Sequence, residues 1–139
     1  MKLPLCLQVQ MMKYLLDTHI LLWAASDSPK LNLAIRQILE NKNNELYFSV
    51  VNIWEIAIKK SIGKLHLPIP TSAFRRLLLE NGYRELAITG THAMATETLP
   101  FIHNDPFDRM LIAQAQQEGL LLLSADSKVQ AYGDCVAKI

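Results

Sequence analysis

Cysteine is scarce in this chain: Cys6 and Cys135 lie near opposite ends, with no metal-ligand or redox spacing, so they read as idle thiols of a small intracellular fold. The four histidines, His19, His66, His92 and His103, make no zinc spacing either. A net charge of +1 excludes the global basic excess that announces many nucleic-acid binders. A local basic groove through Lys59, Lys60, Lys64, Arg75 and Arg76 stays open, with a solvated charged face as its bland alternative. No apolar run reaches membrane-spanning length. The N-terminal MKLPLCLQVQM is interrupted by Pro4, Gln8 and Gln10 and leads to no small-residue cleavage site, which argues against a secretory signal. GKL at 63–65 lacks the rest of a phosphate-binding loop. The expectation is a cytoplasmic protein with no membrane segment.

What is there is apolar. Half of the 139 residues are hydrophobic and 19% charged, enough for a real core and too little charge for disorder. That length fits one domain, placed at residues 12–139, with 1–11 as an extension or a misassigned start. KYLLD (13–17), ELYFS (45–49), YRELAI (83–88) and LLLLS (120–124) read as strands, with a last one near Cys135–Ile139. Between them, HILLWAA, LNLAIRQILEN, VVNIWEIAIKKSIG, TSAFRRLLLENG, THAMATETL and DPFDRMLIAQAQQEG read as helices. Gly63, Gly82 and Gly119 are expected stops, Thr71 or Ser72 an N-cap, and Asp105 with Pro106 a helix start. Strands alternating with helices predict an α/β fold: three α/β/α layers around a mainly parallel sheet.

Four carboxylates stand where apolar elements begin or end: Asp17, Glu55, Asp108 and Asp126. Each has a bland explanation. Asp17 and Asp126 follow strands expected to be central, and either could simply cap the next helix, worth about 1 kcal/mol. Glu55 lies at the margin of an arc formed by Val50, Val51, Trp54, Ala57, Ile58 and Ile62, and an exposed i,i+4 pair with Lys59 would account for it. Asp108 falls among Phe107, Leu111, Ile112 and Ala115, while Asp105 already serves that helix end, so capping explains Asp108 least well. Arg109 reads as a surface ion pair or a phosphate contact, and His103 as a loop histidine or a substrate contact.

The set is harder to dismiss than its members. Carboxylates gathered at the carboxyl ends of parallel strands repel one another unless cations neutralise them. Hard oxygen donors suit Mg²⁺ or Mn²⁺, and such ions support in-line displacement at phosphorus.

On the stretches YLLDTHILLWA, SVVNIWEIAIKKSIGKL, HNDPFDRMLIAQA and LLLLSADSKVQAYG, the chain resembles PIN-domain ribonucleases, most of all the VapC-type toxins of bacterial toxin–antitoxin pairs. The resemblance spans about residues 12–133. It implies an acidic pocket of Asp17, Glu55, Asp108 and Asp126 that binds Mg²⁺ or Mn²⁺, with Asp105 in a lesser ordering role. Ser124 stands where many relatives have threonine. It also implies RNA hydrolysis by activated water, a homodimer, and restraint by a small cognate antitoxin. The surface of Leu21, Leu22 and Trp23 is a place for antitoxin or a second copy, with ordinary core as its alternative. Two rival functions remain at this stage, a phosphatase or phosphoacceptor domain and a noncatalytic antitoxin-binding module.

Overall fold

A computed structural model of the protein describes residues 12–139. The expected extension or misassigned start at 1–11, and Cys6 with it, lie outside the described residues.

The first strand, β1 (Lys13–Leu16), runs directly into α1 (Thr18–Ala25). Then come α2 (Leu33–Glu40), β2 (Glu45–Ser49), α3 (Val50–Ser61) and α4 (Thr71–Glu80). A short β3 (Arg84–Leu86) leads into α5 (Gly90–Ala95) and a 3-10 turn at Thr96–Thr98. The chain closes with α6 (Pro106–Glu118), β4 (Leu121–Leu123) and α7 (Ser127–Gln130). The strands form one parallel sheet in the order β3-β2-β1-β4, with Leu15 of β1 opposite Tyr47 of β2 and Leu122 of β4.

Side chains alternate across a strand, so this sheet feeds two cores. Tyr14, Leu16, Phe48 and Leu123 meet Ile20 and Leu21 of α1, Ile35 of α2 and Phe74 of α4. Leu15 and Leu122 face the other way, against Leu111 and Ile112 of α6 and Val129 of α7. The three α/β/α layers expected from the alternation of elements are therefore present. Burying both sheet faces is what lets Tyr14–Leu16 of β1 and all of β4 be apolar. α6 begins at the Asp105 cap with Pro106 in its first turn and stops at Gly119, whose φ of 66° is left-handed and costs glycine little.

Several expectations need correction. The last strand reduces to one parallel bridge, Val136 to Leu122, made by the Leu122 N–H to the Cys135 carbonyl at 2.8 Å and the Ala137 N–H to the Leu122 carbonyl at 2.9 Å. β4 is consequently not central; it closes one end of the sheet beside β1. Neither Thr71 nor Ser72 caps α4: Thr71 is already helical, and the Pro70 carbonyl accepts the N–H groups of Ala73 and Phe74. The arc assigned to the core side of α3 is also misplaced. Of that arc Val51 is buried, but Trp54 and Ile62 are 56% and 57% exposed, and the helix buries Asn52, Glu55 and Ile56 beside Val51.

No helix among the described residues is long and apolar enough to cross a membrane.

Candidate active site

The strand order reverses at β1. Successive crossovers carry the chain from β1 to β2 to β3 on one side, and β4 lies on the other. Such a reversal opens a crevice at the carboxyl ends of the two strands. Asp17 leaves β1 there and Ser124–Asp126 leave β4, tied by the Asp17 N–H donating to the Leu123 carbonyl at 3.1 Å.

Asp17 does cap α1: its Oδ1 accepts the Ile20 N–H at 2.9 Å. Capping is only part of its situation, since the residue is 5% exposed. Burial pushes its carboxyl above the ordinary aspartate range, and the negative charge of Glu55 pushes the same way. Hydrogen bonds from Ser124 and Ile20 and the nearby His19 oppose this without cancelling it.

Asp105 caps α6, accepting the Asp108 N–H at 2.9 Å. Asp108 is thereby freed from capping, and its Oδ2 meets His103 Nε2 at 2.8 Å. Partial burial first and the charge of Asp105 second raise the Asp108 carboxyl to about 6. The His103 hydrogen bond works against that rise, and Asp17 and Glu55 add to it through their charges. Asp126 caps α7 through the Lys128 N–H at 2.8 Å and approaches His103 Nε2 at 3.8 Å. One ligand atom each from His103, Asp108 and Asp126 lie within 4.8 Å of one another.

Glu55 is held differently. Its carboxylate accepts the Thr18 hydroxyl at 2.5 Å and the Lys59 ammonium at 2.5 Å. The i,i+4 pair exists, but not on an exposed face, because Glu55 is 4% exposed. Partial burial alone would lower the Lys59 pKa. The hydrogen bond and charge of Glu55, with Asp105 and Asp108 behind it, outweigh that and leave the ammonium above the usual lysine value.

The face of α3 that packs inward carries a polar chain. Asn52 donates to the Leu16 carbonyl at 3.2 Å and to Thr18 Oγ1 at 3.0 Å, and accepts the Ser49 N–H at 2.6 Å. Ser49 donates to Gln114 at 2.6 Å, and Gln114 reaches His92 Nδ1 at 3.3 Å. His92 Nδ1 must accept, since the Thr89 N–H points at it at 3.1 Å, so Nε2 carries the proton and donates to Glu118 at 2.7 Å. Among the described residues no buried side-chain polar atom lacks a partner. Burial of these groups is therefore compensated, and Thr18 has a fixed direction.

The four expected acids thus divide. Asp108 and Asp126 converge on His103; Asp17 and Glu55 lie apart from that trio and act on Asp108 through charge. Sequence reasoning ranked His103 too low and overlooked Thr18, although one sits five residues before Asp108 and the other directly after Asp17.

Burial decides several other expectations. Arg109 is neither a surface ion pair nor free for phosphate. It is buried, and its guanidinium donates to the carbonyls of Thr96 at 2.9 Å, Pro100 at 3.0 Å, and Leu99 and His103 at 3.4 Å. In the basic segment, Lys60 donates to the Ile69 carbonyl, Arg75 pairs with Glu85 and Arg76 lies beside Glu80, so these three do not present a free groove. Leu21 is wholly core, and Leu22 and Trp23 pack half-buried against it. Cys135 is half-buried, and burial raises its thiol pKa, as suits an idle thiol.

Comparison with known proteins bears on this geometry. The family model of the PIN domain matches residues 14–134. The chain is 28% identical over 119 residues to Ribonuclease VapC22 of Mycobacterium tuberculosis, covering 85% of this chain and 90% of that protein. In fold it is similar to the VapBC2 complex of Rickettsia felis bound to promoter DNA, with a TM-score of 0.66 at 16% identity, over 90% of this chain and 96% of the other. A toxin–antitoxin complex from Klebsiella pneumoniae gives 0.62 at 20% identity over the same shares. At these identities the solved structures speak to the fold alone.

Proposed function

Because the chain belongs to the PIN domain family, we propose that it is a metal-dependent endoribonuclease acting as the toxin of a toxin–antitoxin pair. The observation that carries this reading is the placement of Asp17, Asp108, Asp126 and His103 around the β1/β4 reversal, with two carboxyls pushed up by burial and mutual charge. Such a crevice favours whatever cation relieves it. The relative named a ribonuclease and the solved toxin–antitoxin complexes agree with this reading.

The donors fit a divalent ion: the carboxylate oxygens suit Mg²⁺ or Mn²⁺, and the one imidazole among them favours Mn²⁺ over Mg²⁺. Asp108, Asp126 and His103 would hold it, with Asp17 and Glu55 completing the acidic set. When bound, the ion supplies charge neutralisation at the phosphate and a water acidic enough to attack near neutral pH.

The rest falls to the chain. Asp17 is locked by the Ile20 N–H and Ser124, so its carboxylate cannot turn away. Asp105 fixes the first turn of α6 and with it the direction of Asp108. Glu55, steered by Thr18 and Asn52, would orient the attacking water or take its proton. Attack by water leaves a 5′-phosphate and a 3′-hydroxyl. A cytoplasmic setting, a small antitoxin and a second copy of the chain as partners belong to the same reading.

The phosphoacceptor alternative requires an exposed aspartate nucleophile beside a lysine. Asp17 is buried with its carboxylate engaged, and Lys59 pairs with Glu55. The test is incubation of the purified protein with single-stranded RNA and Mn²⁺, followed by mapping of the product ends. Cleavage that leaves 5′-phosphates and is lost in Asp17→Asn and Asp108→Asn is expected. Products ending in 2′,3′-cyclic phosphate, full activity in either variant, or no cleavage at any Mn²⁺ concentration would overturn the proposal.

A further inference from the structure

An acidic crevice that must admit a polyanion has an electrostatic problem. Asp17, Glu55, Asp105, Asp108 and Asp126 all repel an RNA phosphate, and a bound cation offsets only part of that charge. A second positive group at the phosphate is therefore to be sought among the chain's own side chains.

The structure leaves few choices. Arg109 is buried and spent on backbone carbonyls. Lys60, Arg75 and Arg76 are engaged away from the acids. Lys128 meets Asp126 through its backbone N–H. Lys59 alone, among the lysines and arginines described, is ion-paired to one of the four acids.

Its setting suits transfer. The ammonium sits on Glu55 at 2.5 Å and 6.0 Å from the Phe107 ring centroid, one residue before Asp108. The side chain is 33% exposed, so the ammonium can turn toward the crevice mouth without unpacking the core. The other Glu55 oxygen is held by Thr18, which Asn52 fixes in turn. Glu55 thus keeps one rigid neutral donor and one mobile charged donor. A lysine is apt for the mobile part, being a point charge on a flexible stem with no fixed bidentate geometry.

We propose that Lys59 is the resident cation of the acidic pocket, and that its ammonium passes from Glu55 to a non-bridging oxygen of the scissile RNA phosphate, a role that rests on the ribonuclease reading above. On RNA entry Lys59 neutralises negative charge on the non-bridging phosphate oxygens, and its departure frees one Glu55 oxygen for the attacking water. One movement thereby serves both partners of the reaction. It is a catalytic residue in the strict sense, since it touches the reacting phosphate.

The experiment compares wild type, Lys59→Met and Lys59→Arg on a fluorophore-labelled single-stranded RNA. Cleavage is followed with Mn²⁺, and binding by anisotropy across a salt series with Ca²⁺ replacing Mn²⁺. Lys59→Met should lose about a hundredfold in kcat with KM changed less than about threefold, as for removal of one donor to a developing oxyanion. Its slope of log affinity against log salt should fall by about 0.7, the loss of one phosphate contact on a single strand. Lys59→Arg should recover to within about tenfold of wild type, because charge is kept and reach altered. A Lys59→Met protein with kcat within about threefold of wild type, or with an unchanged salt slope, overturns the proposal. So does one whose Mn²⁺ affinity and melting midpoint fall together with activity, which would make Lys59 a structural ion pair. If wild type binds RNA but never cleaves it, the hydrolase reading falls and the salt slope alone decides Lys59. If wild type does not bind RNA at all, both fall.

Discussion

His103 Nε2 lies 2.8 Å from Asp108 Oδ2, and the imidazole fills the space between that carboxylate and Asp126. A histidine five residues upstream of a helical aspartate has no reason of local geometry to meet it. The contact exists because the loop between Leu99 and Asp105 is drawn back over α6, where Arg109 holds its carbonyls and the His103 N–H donates to the Tyr132 hydroxyl at 3.1 Å. Imidazole and carboxylates then present three ligand atoms to one point.

That arrangement predicts a metal role for His103. We expect His103→Gln to weaken Mn²⁺ binding by roughly 10–100-fold, the range for losing a ligand or its close support. Asn104→Ala, next door but outside the trio, should change it little. Titration of Mn²⁺ by electron paramagnetic resonance checks both, and unchanged affinity in His103→Gln would remove the imidazole from the site.

Replacing Asp108 by Asn should separate stability from activity. Asp108 is ionised at neutral pH against burial and the charges of Asp105, Asp17 and Glu55. A neutral amide meets none of that repulsion, so the metal-free variant should melt at or above the wild-type temperature while cleavage falls by at least roughly a hundredfold. Thermal denaturation in chelator and a cleavage assay on the same sample measure the two effects. A lower melting temperature would mean that the carboxylate is structural.

The same residue sets a pH dependence. Its folded pKa of about 6 stands above the ordinary aspartate value of 3.8, so between these values the folded protein holds a proton that the unfolded chain has released. The contribution of Asp108 to metal-free stability is therefore greatest below about pH 4 and is lost as pH rises through 6. The difference in melting temperature between wild type and Asp108→Asn, measured in chelator, should widen across that window. Adding Mn²⁺ at pH 7.5 should close it, because cation and proton compete for one carboxylate. A difference that stays flat from pH 4 to 7.5 would contradict the assignment.

Arg109 offers a test of the loop. Arg109→Met keeps the apolar stem but takes the guanidinium from the carbonyls of Thr96, Leu99 and Pro100; Thr96 and Pro100 retain the Leu99 N–H and the Tyr132 hydroxyl as donors, so the buried Leu99 carbonyl is the one left without. An unsatisfied buried group costs about 1–3 kcal/mol, so we expect a loss of about 2 kcal/mol in urea unfolding. Mn²⁺ affinity should fall as well, since the backbone carrying His103 loosens. A variant as stable as wild type would show that the 96–103 segment is held by other contacts.

Individual residues show how far the sequence reached. Asp17, Asp105 and Asp126 read as N-caps from their neighbours alone, and all three are, because a cap is a contact within three residues. The helix α3 defeated the same style of reasoning. Its apolar arc includes Trp54 and Ile62, which face out, while Asn52 and Glu55 face in. Periodicity finds an amphipathic stripe but assumes that the core is apolar. Here the packed face carries a hydrogen-bonded chain from Glu55 to His92, whose members come from four separate helices and the strand–helix junction at Ser49. Such a chain is legible only once those elements are adjacent.

By itself the sequence determined the alternation of strand and helix, the places where helices start and stop, and the four acids at element ends. These are set by backbone preferences and by apolar spacing over a few residues, and they survive in any fold that buries the strands. Tertiary structure decided which acids converge. The reversal of strand order at β1 brings Leu123 and Ser124 beside Asp17, and a folded-back loop adds His103 between Asp108 and Asp126. It also turned Glu55 inward, with Lys59 as its counter-ion. Charge interactions fall with distance through space rather than along the chain, so the electrostatics of this pocket could be settled only by the packing that closes it.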